Sequence, residues 1–109
     1  MRNSKTANDA ALVRAVKAIA SPVRLAILAL LKDPVRHFPP QRDGDLLTDG
    51  VCAVLIRNRL GIAAATVSRH LTLLVHAGFL IPTRKKGWTF YRRDERALRA
   101  FARTLGQAL

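Results

Sequence analysis

Gly61-Ile62-Ala63 is the feature that most narrows what this chain can fold into. Residues 51–60 before it are short and apolar and read as a helix. Residues 64–77 after it carry Val67, Leu71, Leu73 and Leu74 on one side at helical spacing. Two short helices joined by three residues, with Gly at the corner, fit a helix-turn-helix. Gly78 stands where a left-handed C-terminal cap belongs. Residues 79–84 and 88–92 then read as two strands around Lys85-Lys86-Gly87, a basic hairpin suited to be a wing. Pro82 marks the first of these as an edge strand, because it has no N–H to give a ladder.

Upstream, residues 8–20 read as a helix, with Leu12, Val13, Val16, Ile19 and Ala20 at helical spacing. Ser21-Pro22 is an N-cap followed by Pro at the first helical position. Leu25, Ile27, Leu28, Leu30 and Leu31 predict a largely buried helix, closed by Asp33-Pro34. Residues 33–49 look irregular, with Pro34, Pro39, Pro40 and Gly44. Asp43, Asp45 and Asp49 make this loop the acidic exception in a basic chain. A loop that long is either a solvated insertion, the simpler reading, or a functional segment. Asp94 can cap a last helix whose apolar stripe is Leu98, Phe101, Ala102 and Leu105, with Arg96, Arg99 and Arg103 on the other face. The expected architecture is mainly α with a β-hairpin wing, one winged helix-turn-helix domain over residues 1–109, and dimeric. A 109-residue core does not easily cover both the Leu12, Val16, Ile19 stripe and the Leu98, Phe101, Leu105 stripe.

Charge indicates the partner. Nineteen Lys and Arg stand against seven Asp and Glu, a net charge of +12. Such a balance favours polyanions, nucleic acid first and anionic membrane second. Composition does not choose between them. The single Cys excludes an intramolecular disulfide framework and a zinc ribbon built from several thiolates. No run approaches the roughly 20 apolar residues of a membrane span, and the polar start argues against a secretory signal. A cytoplasmic protein is expected.

Two segments resemble a known family. Ser21-Pro22-Val23-Arg24-Leu25-Ala26-Ile27-Leu28 resembles the D-P-x-R-x-x-I-L opening of ArsR-type repressors. Residues 60–71, Leu-Gly-Ile-Ala-Ala-Ala-Thr-Val-Ser-Arg-His-Leu, resemble their L-G-L-S-Q-S-T-V-S-x-H-L recognition segment. Leu74, Ala77-Gly78-Phe79-Leu80 and the hairpin ending at Tyr91 continue the likeness, which covers residues 10–105 outside the acidic loop. The resemblance implies a homodimeric winged-helix repressor whose first and last helices form the dimer seam. Ala63, Ala64 and Ala65 depart from it where polar residues are usual. Ala is a poor N-cap, at a cost of about 1 kcal/mol against Ser, and it cannot make the two-pronged contact that Gln makes with adenine.

A helical wheel of residues 64–77, at about 100° per residue, puts Ala65, Ser68, Arg69, Thr72 and His76 opposite the apolar side. Ala64, Ala65, Ser68 and Arg69 lie toward the N-terminal end, which meets base edges in helix-turn-helix docking. Arg69 is the first candidate for base contact, since Arg pairs bidentately with guanine; a phosphate contact or a solvated side chain are its alternatives. Ala64 and Ala65 can offer methyl contacts to thymine. Thr66, on the flank, can reach phosphate or bond locally. The family likeness sets His70 at the DNA interface, whereas the wheel equally supports a packed, hydrogen-bonded His. Arg84, Lys85, Lys86, Arg92 and Arg93 crowd the hairpin and suit phosphate or minor-groove contact, with Lys85 and Lys86 on a flexible turn. Trp88, Phe90 and Tyr91 read as core anchors of the hairpin rather than stacking platforms.

Metal-sensing relatives carry C-x-C-[DE]-L before the turn. Here that stretch is Cys52-Ala53-Val54-Leu55-Ile56, and the second family site, D-x-H with a later His, is Asp94-Glu95-Arg96 with Gln107. Neither offers a thiolate, carboxylate or imidazole set, so no metal or cofactor is expected. Cys52 is either a small buried residue or a redox or electrophile sensor. No nucleophile–base spacing or phosphate loop supports an enzyme. The sequence therefore reads as a homodimeric, sequence-specific regulator of double-stranded DNA, with no membrane partner and an inducer it does not name. Its rivals are a non-specific basic nucleoid- or RNA-binding protein and a membrane-surface or protein-interaction module using the basic last helix.

Overall fold

The computed structural model describes residues 2–109, with side chains from Asp9 onward. In chain order the elements are α1 (Arg2–Ile19), α2 (Pro22–Lys32), α3 (Pro34–His37), β1 (Val51–Cys52), α4 (Ala53–Leu60), α5 (Ala64–His76), β2 (Leu80–Lys85), β3 (Trp88–Arg93) and α6 (Glu95–Ala108). Local chemistry sets most of the boundaries. Ser21 Oγ accepts from the Arg24 N–H at 3.2 Å, and Pro22 fills the first helical position of α2. Asp94 Oδ1 accepts from the Ala97 N–H at 3.0 Å and opens α6. Gly61, at φ +69, ends α4 in the left-handed region, and its N–H donates to Arg57 O at 2.8 Å. Ala63 then starts α5 with no side-chain cap, as its methyl side chain requires.

Most of the buried side chains form one cluster between helices and sheet, with Cys52 and Phe90 buried apart from it. Ile27, Ile56, Val67, Leu71, Leu74, Val51 and Phe90 are fully buried. Phe79 and Phe101 meet edge to face with centroids 5.3 Å apart, fastening α6 to the chain just ahead of the wing. Three expected core residues lie outside this cluster. Leu25 is 51% exposed, Leu73 is 46% exposed and Trp88 is 41% exposed. Leu73 sits at the edge of the α5 stripe. Trp88 shares the alternation of Phe90 but lies at the hairpin end, two residues away from the ring that Gly44 covers.

The sheet is antiparallel in the order β1-β3-β2, so β2 is an edge strand and Pro82, opposite Tyr91, leaves no internal ladder bond unmade. Lys85 pairs with Trp88. The turn is therefore Lys86-Gly87 alone, one residue shorter than expected, and its φ values of +52 and +81 are those of a type I′ hairpin.

Two stretches differ from what their sequences suggest. Residues 51–60 are not wholly helical, because Val51 and Cys52 pair with Tyr91 and Phe90 as β1. A short apolar run does not by itself separate strand from helix; the open edge of β3 decides it. Residues 33–49 are largely exposed, as a solvated insertion would be, but they are anchored to the fold at several points. Pro34 opens the one-turn α3, Phe38 is buried, and the loop backbone at Gly44 lies against the Phe90 ring. The Gln41 amide donates to Gly50 O and accepts from the Cys52 N–H, so the loop is clamped where it enters β1.

Gly50 carries the tightest backbone approach. At φ +106 it passes so close to β3 that a Cβ there would lie 2.3 Å from Tyr91 O. Gly50→Ala is expected to cost about 3 kcal/mol or more. Gly61→Ala, with positive φ but nothing within 4 Å of its Cβ position, is expected to cost only about 1–2 kcal/mol. Urea midpoints of the two variants check this; equal losses would mean that β1 does not press on β3.

Candidate nucleic-acid interface

Helix α5 is divided lengthwise. Val67, Leu71 and Leu74 are buried, while Ala64, Ala65, Ser68, Arg69, Thr72 and His76 are exposed and Thr66 is half-buried. Burial of the first three, each worth roughly 1.5–3 kcal/mol, fixes the rotation of the helix and turns the others to solvent. No acidic side chain among the described residues pairs with Arg69. Its guanidinium stands in solution beside Ser68 on the N-terminal half of the helix.

His70 lies between the two faces. Arg24 Nη1 donates to its Nδ1 at 2.8 Å, so the neutral ring carries its proton on Nε2. The same guanidinium donates through Nε to Ala18 O and through Nη2 to Lys17 O at 3.2 Å. Arg24 thus joins the last carbonyls of α1 to the middle of α5 from its own place on α2. In the sequence this Arg is only one letter of a motif. Its contact with His70, 46 residues away, leaves no local signal.

The hairpin is less free than its charge suggests. Arg84 Nη1 donates to Thr89 Oγ1 at 3.1 Å. Lys85 Nζ lies 3.2 Å from Asp49 Oδ2, and Lys86 Nζ lies 3.6 Å from Asp43 Oδ1. The two lysines are therefore paired with the acidic loop, on a tight turn of fixed register rather than a flexible one. Arg93 is structural: it takes the Glu95 carboxylate with two nitrogens, at 2.8 and 2.9 Å, and donates to Leu28 O at 3.0 Å. Arg92 is half-buried, with an Nε that has no partner among the described residues. Burial holds the Tyr91 hydroxyl above its usual range.

Leu12, Val16, Ile19, Leu98, Phe101 and Leu105 are all half-buried. Leu12 and Phe101 line an open apolar groove between α1 and α6, together with Ala11, Ala15 and Ala100. Cys52 is buried, 8% exposed, on β1 opposite Phe90. The residues at the family's metal positions, Val54, Leu55, Arg96 and Gln107, supply no ligand set. No group of three or more His, Cys, Asp or Glu side chains comes together among the described residues.

Desolvation, then the Arg24 and Arg69 charges, hold His70 below its ordinary value of 6.5. The unfolded chain therefore takes up this proton at a pH where the folded one resists it. The contribution is absent above the unfolded value and destabilises the fold as pH falls through and below it. Between about pH 7.5 and 5.5, wild type should lose more stability than His70→Asn, measured by urea unfolding at each pH. Parallel curves would show that the contact with Arg24 does not oppose protonation.

Known proteins resemble this chain in sequence and in fold. An uncharacterized HTH-type transcriptional regulator of Bacillus subtilis, YbzH, is 40% identical over 86 residues, 79% of this chain and 86% of its own length. Among solved structures, the chain resembles the homodimeric winged helix-turn-helix DNA-binding domain of a possible ArsR-family transcriptional regulator from Mycobacterium bovis. Its solution structure matches at 27% identity and a TM-score of 0.68, covering 95% of this chain and 83% of that one. A crystal structure of the same fragment matches at 26% identity and a TM-score of 0.61, covering 90% of each. An ArsR-like transcriptional regulator from Rhodococcus sp. RHA1 shares the fold, with 23% identity, a TM-score of 0.66 and coverage of 91% of this chain and 79% of that one. No family model matches the chain. With a divided helix behind a tight turn, a basic hairpin after it and these relatives, the chain belongs to the ArsR family of winged helix-turn-helix transcriptional regulators.

Proposed function

We propose that this regulator is a homodimeric repressor that binds an inverted-repeat operator and occludes a promoter. The observation that carries the reading is the exposed N-terminal face of α5, with Ala64, Ala65, Ser68 and Arg69 turned to solvent while the opposite face is locked in the core. That end of a recognition helix is the one that meets base edges in the major groove. Arg69 reads a guanine. Ala64 and Ala65 give methyl contacts, and Thr66 and Ser68 reach phosphate or base edges. His70 orients the helix through Arg24 and stands beside the duplex. Arg84, Lys85 and Lys86 touch the adjacent backbone. Cys52, buried on β1, is a packing residue in this reading. No described helix is long and apolar enough to cross a membrane, and action on cytoplasmic DNA follows from the role.

Selection from a random duplex pool at physiological salt tests the proposal. Enriched inverted repeats, with half-sites about 34 Å or a multiple apart, are expected. Equal affinity for selected duplex, random duplex and RNA would favour the non-specific nucleoid or RNA-binding reading. Arg69→Ala should relax preference at one position of each half-site, at about 1–3 kcal/mol. Equal weakening on selected and random DNA would make Arg69 a phosphate contact.

The dimer reading rests on the α1–α6 face and on the homodimeric state stated for the Mycobacterium bovis domain. Leu12, Val16, Ile19, Leu98, Phe101 and Leu105 form the seam. Phe101→Asp should yield monomers in sedimentation at micromolar concentration and lose the linkage between half-sites. A wild-type monomer at that concentration would overturn the reading.

A further inference from the structure

The acidic loop and the wing tip meet as opposite charges. Consecutive wing lysines are each met by a loop aspartate, Lys85 by Asp49 and Lys86 by Asp43. The loop is built to hold those carboxylates in place. Asp45 Oδ1 accepts from the Leu47 and Thr48 N–H groups at 2.8 and 2.9 Å, and Asp49 Oδ2 accepts from the Asp45 N–H at 2.8 Å. The Asp45 N–H, more than Lys85, keeps the Asp49 carboxyl below its usual range. Gly44 rests on Phe90, and Gln41 fixes the exit at Gly50 and Cys52. On the other side, the type I′ turn sets the register of the lysines.

We propose that the loop over residues 43–49 is a resident competitor of the DNA backbone for the wing lysines, and that it weakens the grip of the wing on any duplex and makes that grip less sensitive to salt. The inference deepens the DNA-binding reading and rests on it. A Lys ammonium is a compact point charge that accepts a carboxylate or a phosphate oxygen alike as its partner. The lysine side chains are 48% and 69% exposed, so the pairs can exchange without unpacking the core. Exposed pairs of this kind hold weakly, which lets phosphate displace them. Once displaced, the two carboxylates stay beside the strand and repel it. Each lysine therefore neutralises less phosphate charge than its formal charge suggests. Arg69 and Arg84 have no acidic partner among the described residues. The loop thus restrains the wing tip and leaves the recognition helix alone.

The variants that isolate charge are conservative. Asp43 has φ +59, a conformation that Asn also tolerates. Asn at position 49 keeps an oxygen for the Asp45 N–H. Asp33→Asn, at an exposed position whose side chain caps nothing, makes a single change in net charge of the same sign elsewhere. The experiment measures the affinity of the full chain for a labelled random duplex across a KCl series. Asp43→Asn with Asp49→Asn should tighten binding about two- to fivefold per pair and steepen the salt slope by about one to two. The gain should vanish when Lys85→Met and Lys86→Met are added. Asp33→Asn should leave the slope at the wild-type value. An unchanged slope in the double Asn variant, a gain that persists without the lysines, or the same gain from Asp33→Asn would overturn the inference. If position 49 disturbs folding, Asp43→Asn alone decides: a steeper slope supports the inference, and an unchanged one overturns it. Wild-type protein that binds no duplex would overturn the DNA-binding reading and this inference with it. Wild-type binding with an unchanged slope in the variants would overturn the inference alone.

Discussion

Burial of Val67, Leu71 and Leu74 is the interaction on which the rest depends. These three positions of one thirteen-residue helix settle its rotation, and rotation decides which side chains can reach a groove. Gly61 and the uncapped Ala63 turn the chain into α5, and the cluster with Ile27, Leu28 and Ile56 holds its apolar face. Arg24 adds a polar tie at the middle of the same helix and draws the end of α1 into it. One guanidinium on α2 thus contacts both the end of α1 and the middle of α5.

Strand β3 plays the corresponding part for the wing. It is the central strand, pairing with β1 on one edge and β2 on the other. Phe90 sits under the acidic loop, and the backbone of Tyr91 receives Gly50 at close range. Arg93 ties the end of the same strand to α2 and to Glu95. The wing is thus fastened at its base, while its tip is held by two exposed ion pairs that salt screens and competing anions can replace. Rigid base and exchangeable tip suit a hairpin that must present charge in a fixed direction.

Charge distribution adds a distinction that net charge hides. The chain is +12 overall, yet its basic residues have different fates. Arg93 is engaged by the fold, and Arg24 is occupied by helix carbonyls and His70. Lys85 and Lys86 are shared with the loop, and Arg69 is left free of carboxylate partners among the described residues. Groups of the last two kinds are the ones open to a polyanion. A count of lysines and arginines therefore overstates the binding charge.

Much of the fold was legible because it is encoded locally. The Ser21 and Asp94 caps, the corner at Gly61, the split of α5 and the hairpin with Pro82 on its outer strand all depend on neighbours within a few residues. Periodicity and capping report such neighbours directly. Contacts between distant segments left no such trace. Val51 and Cys52 became a strand because β3, some forty residues on, offered a free edge. The acidic loop, though largely exposed, is anchored because Phe38 and Gly44 found the core and Phe90. Lys85 met Asp49 at a separation of 36 residues, and Arg24 met His70 at 46. Side-chain chemistry named the candidates for those meetings. Which of them touch, and which stay exposed, follows from the path of the folded backbone, because a long-range contact forms only where the packing of everything between brings its partners within reach.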